Sequence, residues 1–183
     1  MHYVNEPTPG SLADLQDDAD PEQVARTILL RRLSVAPRTR RELADDLRKR
    51  GIPDEVSARV LDRFEEVGLV DDSEFARMWA VSRQRTKGSA RSVLLRELRA
   101  KGVNDDDARE AVAEIDDETE RARALSLVEG KLGATARFEP AVRRRRLVSM
   151  LQRRGYRQSV ALSVVDEALG DEWHPEDDVE PLG

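Results

Sequence analysis

"RSVLLRELRAKGV", residues 91–103, places leucines eight and four residues ahead of a glycine, a lysine directly before that glycine and an apolar residue directly after it. The same grammar recurs twice. "RRELADDLRKRGI" (40–52) has Leu43 and Leu47 before Gly51, and "RRRLVSMLQRRGY" (144–156) has Leu147 and Leu151 before Gly155. Leucines four apart share one face of a helix. A glycine just past the last turn supplies the left-handed residue that closes a helix cheaply. The chain therefore reads as one supersecondary unit used three times.

Working outward, each unit reads as three helices. Pro21 opens the first, whose apolar Val24, Ile28, Leu29 and Leu33 hold helical spacing until Pro37 stops it. Beyond Ile52-Pro53, the residues Val56, Val60, Leu61 and Phe64 form a third apolar stripe. The second unit opens at "DDSEF", where Asp71 and Glu74 suit a capping-box-like start. Phe75, Met78 and Trp79 follow on one face as core candidates, and Lys87-Gly88 breaks the helix. The middle helix is expected over 89–101, and Asn104 is expected to cap a helix over 105–116. In the third unit the expectation is a helix over 118–132, a loop through "GATARFEP", then helices over 140–154 and 158–169. The fold class is thus all-α, an elongated array of three tandem three-helix, helix-turn-helix-like repeats. The repeats span 21–70, 71–117 and 118–170, between acidic, disordered tails at 1–20 and 171–183.

Charge sharpens this picture. All 31 Lys and Arg fall between Arg26 and Arg157, whereas residues 1–20 hold five acids and residues 171–183 six, so the net charge of −6 hides a basic body. Residues 21–170 carry 26 acids against 31 cations, a net of +5. Within that body the cations concentrate on the middle helices: six with three acids over 38–50, five with one over 87–101, and six with none over 141–154. The third helices are the reverse, with five acids over 54–67 and six over 105–116. A helix-turn-helix that reads DNA puts its second helix into the major groove, and acidic helices there would be repelled by phosphate.

With the first leucine of each middle helix at zero, Arg41, Arg48, Arg99, Arg96 and Arg145 point roughly 140–200° away, opposite the leucines. Arg91, near 60°, leans toward the buried side. The candidate partner-binding residues are therefore Arg38, Arg41, Arg48, Lys49, Lys87, Arg91, Arg96, Arg99, Arg143, Arg145, Arg146 and Arg153, presented to an extended anionic partner. Cations just before a C-cap glycine (Arg50, Lys101, Arg154) also favour the helix dipole, and Asp71, Asp72, Asn104 and Asp105–Asp107 suit caps and first turns better than metal.

Several chemistries are unsupported. There is no cysteine, and the two histidines, His2 and His174, lie in the termini. No nucleophile–base pair, metal set or phosphate-binding loop can be assembled, so neither catalytic residue, metal nor cofactor is expected. No apolar run approaches the roughly 20 residues that span a bilayer, and the N-terminus does not resemble a signal peptide. A cytoplasmic, monomeric protein is the expectation.

Over 69–103, "LVDDSEFARMWAVSRQRTKGSARSVLLRELRAKGV" resembles the RecX family, bacterial regulators of the RecA recombinase. The resemblance rests on Asp71-Asp72 before Phe75-Ala76, then Trp79, Arg83, Gly88, Arg91, Glu97-Leu98 and Lys101-Gly102. It continues more weakly through 21–68 and "RRRRLVSMLQRRGY"; Ser89 stands where a proline is common, and the acidic tails fall outside the common core. What the resemblance implies is a non-enzymatic crescent of three repeats lying along the groove of the RecA–DNA filament. There it would restrain ATP hydrolysis, strand exchange and co-protease activity in recombination, DNA repair and the SOS response. Two other readings stay open: a helix-turn-helix protein binding single- or double-stranded DNA directly, and a helical scaffold for an acidic protein.

Overall fold

All three aligned segments end in the same turn. Gly51, Gly102 and Gly155 sit at φ +77°, +88° and +88°. In each turn the N–H of the residue after the glycine donates back to the carbonyl of the last inner leucine: Ile52 to Leu47, Val103 to Leu98 and Tyr156 to Leu151, all at 3.2 Å. The glycine N–H closes a tighter bond inside it, to Arg48, Arg99 and Gln152. This paired pattern satisfies carbonyls that a helix end leaves open, and it needs a left-handed residue at the glycine.

The computed structural model describes residues 20–170; the two expected tails, Asp20 apart, lie outside the described residues. Among the described residues there are nine α-helices and no strand. The chain divides after Asp72 into two compact units.

The first unit holds α1 (Pro21–Leu33), α2 (Arg40–Arg48) and α3 (Asp54–Glu66). Its core joins Ala25 and Leu29 of α1, Leu43 and Leu47 of α2, and Val60, Leu61 and Phe64 of α3, with Val70 beyond. Helix α2 starts at a capping box: Glu42 N–H donates to Thr39 Oγ1 and Thr39 N–H to Glu42 Oε2, both at 3.2 Å.

Helix α4 (Asp72–Lys87) starts at the last residue of the first unit and otherwise belongs to the second, which also holds α5 (Arg91–Ala100), α6 (Asp105–Ala113), α7 (Asp117–Thr135), α8 (Pro140–Arg153) and α9 (Gln158–Leu169). The second unit has two cores, one around Phe75, Ala80, Leu94, Leu98 and Ile115, the other around Val128, Leu147, Leu151, Tyr156 and Val164. They meet at the α4–α5 turn, because Ala90 of that turn belongs to the second core. There Ala90 N–H donates to Arg154 O (2.9 Å), Tyr156 Oη to Gly88 O (3.2 Å) and Ser92 Oγ to Gly155 O (2.7 Å).

Three helix boundaries differ from expectation. Helix α5 begins at Arg91, two residues late, because Ser89 and Ala90 are buried in the turn. Helix α6 ends at Ala113 because Asp116 caps the next helix, accepting from Thr119 N–H at 2.7 Å. Helix α7 runs to Thr135, three residues into the expected loop. Gly130 and Gly133 face open space inside it, and Arg143 of α8 ties its end by donating to Leu132 O (3.2 Å) and Thr135 Oγ1 (3.3 Å).

Candidate partner-binding face

The arginine eleven residues before each turn glycine is Arg40, Arg91 and Arg144. Arg40 bridges Asp62 (2.6 Å) and Glu65 of α3, while its N–H, the first of α2, donates to Asp72 at 2.8 Å. Arg91 bridges Asp117 and Glu120 of α7 and donates to Ile115 O (3.2 Å), while its N–H, the first of α5, donates to Glu120 Oε1 at 2.8 Å. Arg144 pairs with both oxygens of Asp166 on α9, at 2.6 and 3.2 Å. Burial opposes the charge on Arg40 and Arg91, yet the bonded carboxylates outweigh it and hold both guanidinium pKa values raised. These arginines join helices. Of the candidates, Arg91 is thus committed to the contact between α5 and α7.

The other eleven candidates fall into distinct environments. Arg143 is buried, and its guanidinium caps α7. Arg38 is half-buried ahead of α2, with no hydrogen-bond partner at Nε. Arg48 is exposed and pairs with Asp45 (2.8 Å) and Asp54 (3.5 Å). Arg99 pairs with Asp105 at 2.5 Å and holds that carboxyl below the usual carboxylate range. Arg146 is exposed and lies over the Phe138 ring, 4.1 Å from its centroid. The remaining six, Arg41 and Lys49 in the first unit and Lys87, Arg96, Arg145 and Arg153 in the second, are exposed and have no ion pair among the described residues.

Register orders the free cations. Arg41 and Arg145 both stand ten residues before their turn glycines, and Lys49 and Arg153 two residues before. At those positions α5 has Ser92, bonded to Gly155 O, and Ala100, and its free cation is Arg96 instead. Outside the candidate set, Arg137 also lies over the Phe138 ring, 4.9 Å from its centroid. Its signal was the "ARF" tripeptide, which lies outside the middle helices on which the charge count focused.

The motif residues of the second unit form a closed cluster. The Trp79 ring takes cation–π contacts from Arg83 (4.2 Å) and Lys101 (4.3 Å), stacks on Phe75 at 5.6 Å, and donates from Nε1 to Glu97 at 3.0 Å. The cluster pins α4 to α5. Among the described residues no cluster of acids and histidines could hold a metal ion, and no helix is long and apolar enough to cross a membrane.

The class this architecture defines is a tandem series of three-helix modules, each closed by the same glycine turn and each carrying cations on its middle helix. Profiles of the first, second and third three-helix domains of RecX match residues 25–64, 71–112 and 118–165. The chain belongs to the RecX family. It is 49% identical over 164 residues to the regulatory protein RecX of Streptomyces lividans, covering 90% of this chain and 86% of that one. It is also 46% identical over 172 residues to that of Mycolicibacterium smegmatis, covering 90% and 91%. The fold is similar to that in the crystal structure of RecX from Lactobacillus salivarius, with a TM-score of 0.74 at 19% identity, covering 81% of this chain and 97% of that one. A second crystal structure, of a regulatory protein RecX, gives 0.71 at 21% identity, covering 80% and 72%.

Proposed function

We propose that this chain is a non-enzymatic negative regulator of the RecA recombinase, acting in the cytoplasm as a monomer. It binds along the RecA–DNA filament and restrains ATP hydrolysis, strand exchange and co-protease activity. The observation that carries the reading is the set of exposed cations without an ion pair among the described residues, Arg41, Lys49, Arg96, Arg145 and Arg153 on or at the end of the middle helices and Lys87 at the end of α4, in a chain of this family. These side chains are solvated, and so are available to an anionic surface without breaking an internal ion pair. The three modules would be the repeats at 21–70, 71–117 and 118–170.

Direct reading of a DNA groove fits less well. Helices α3 and α6 are acidic, and α9 (158–169) has two acids and no cation. The test is inhibition of recombinase ATP hydrolysis on single-stranded DNA by the full chain and by a variant carrying Arg96→Glu and Arg145→Glu. The variant is expected to fold normally and to inhibit at least about tenfold more weakly, as loss of on the order of 1.4 kcal/mol of binding would give. Unchanged inhibition would remove these faces from the contact. Co-sedimentation with filaments against DNA alone separates the readings further, since a phosphate-only contact gives DNA binding that falls steeply with salt and needs no recombinase.

A further inference from the structure

We propose that the acidic segment 171–183 of this chain docks, within the same molecule, on the arginines in and just ahead of the N-terminal half of α8, namely Arg137, Arg145 and Arg146. Four consecutive arginines, 143–146, lie in the first two turns of that helix, which begins at Pro140, and Arg137 precedes it. Two of the five are satisfied internally: Arg143 by the end of α7 and Arg144 by Asp166. Arg145 has no ion pair among the described residues, and Arg137 and Arg146 have only the ring of Phe138. The nearby carboxylates are few. Asp166 is used by Arg144, Glu167 by Arg121, and Glu139 is exposed at the start of α8. The cluster therefore carries uncompensated positive charge.

The bond between Arg144 and Asp166 also fixes where the chain leaves the fold. Asp166 lies on the last turn of α9, so that turn packs beside the first turns of α8. Gly170 ends the helix at φ +51°, about one helical turn beyond Asp166. From there the sequence runs "DEWHPEDDVEPLG", with six acids and no cation. Thirteen residues can extend roughly 40 Å, so the cluster is within reach. Attachment at Gly170 raises the local concentration of carboxylate around these arginines to the millimolar range typical of short tethers. Trp173, third in the segment, offers a ring on which a guanidinium can stack. A docked segment would cover Arg145, so an anionic partner has to displace it.

The test uses the full chain and the emission of Trp173, isolated as the difference between the protein and its Trp173→Phe variant; Trp79 is then a constant background. Quenching by acrylamide, which is neutral, is measured as NaCl rises from about 0.02 M to about 1 M, where charges more than about 3 Å apart are screened. Docking predicts that Trp173 is protected at low salt and that protection is lost at high salt. Protection is also lost at low salt in an Arg145→Glu, Arg146→Glu variant, and in a variant with Asp171, Glu172, Glu176, Asp177, Asp178 and Glu180 changed to the amides. Quenching of the unmodified chain that is already maximal at low salt overturns the proposal. So does protection that survives either variant, or protection that grows with protein concentration, which would place the segment on a second copy. None of these readouts involves a partner, so they fail or succeed separately from the proposed regulation.

Discussion

The turns at Gly51 and Gly155 have the same backbone and different surroundings. A Cβ on Gly51 would meet nothing within 4 Å, whereas one on Gly155 would lie 2.4 Å from Val93 Cγ2 and 2.7 Å from Ser92 Oγ. One glycine answers only the need for positive φ; the other also lets α5 approach the α8–α9 turn. A local motif can thus be repeated identically while its tertiary duty changes, and the neighbouring modules decide which duty it has. Substitution separates them. Gly51→Ala is expected to destabilise by about 1–2 kcal/mol, the penalty of a left-handed non-glycine residue. Gly155→Ala adds overpacking against a β-branched, rotationally stiff Val93, for about 2–5 kcal/mol in all. Urea denaturation checks both, and equal losses would mean that the α5 contact yields freely.

The same contrast holds for the arginine eleven residues before each glycine. Arg40 pairs with carboxylates that are 61% and 40% exposed, while Arg91 shares with Glu120, only 13% exposed, a bond that joins two modules. Arg91→Ala leaves Glu120 facing a less polar surrounding and should lose about 1–3 kcal/mol. Arg40→Ala should lose at most about 1 kcal/mol, since its pairs are solvated. The third arginine shows why the modules are not identical. In α2 and α5 the first helical N–H is capped by a carboxylate from farther along the chain, Asp72 at the end of the first unit or Glu120 of α7. Helix α8 has no described module after it; it instead begins a turn earlier, at Pro140, which has no N–H to satisfy.

These differences explain what the sequence disclosed and what it hid. The glycine turns, the leucine faces and the acidic third helices were legible because each depends on neighbours within a few residues. The ion pairs were not, because the carboxylates meeting Arg40 and Arg91 lie 22 to 29 residues away and become neighbours only on folding. Arg143 is an intermediate case. It stands four residues ahead of Leu147, on the leucine face, so its burial was written in the spacing, but a count of charges along the helix ranks it with its exposed neighbours. The capping box at Thr39 and Glu42 was likewise present as a T-x-x-E pattern.

The residue after each turn glycine gives a finer comparison. Ile52 and Val103 offer only apolar surface, whereas the buried Tyr156 also bonds Gly88 O. Burial, and then the nearby Glu120 charge, push its phenol up to about 12. The raised value means that the folded state holds the proton more tightly than the unfolded chain, near 10. The stability linked to this proton is therefore complete below about pH 10 and is lost as pH rises through about 12. Tyr156→Phe should destabilise at neutral pH by about 0.5–1.5 kcal/mol, through the lost bond, and should remove that alkaline loss. A denaturation series from pH 8 to pH 12 on both proteins checks this, and parallel curves would assign the alkaline loss elsewhere.

The smallest effects on stability are expected where the two ends of the chain agree. Arg41 and Arg145 occupy the same register, are exposed, and have no ion pair among the described residues. Replacing either with glutamate breaks no internal bond, so each change should stay within about 0.5 kcal/mol of the unmodified protein. A glutamate in the first turn also suits the helix dipole, which for Arg41, the second residue of α2, favours a slight gain. Arg145, well inside the longer α8, gains nothing in this way. Thermal unfolding of the two single variants should therefore place Arg41→Glu at or just above Arg145→Glu. A loss above about 1 kcal/mol in either would reveal an internal partner for that cation and withdraw it from the proposed partner-binding face.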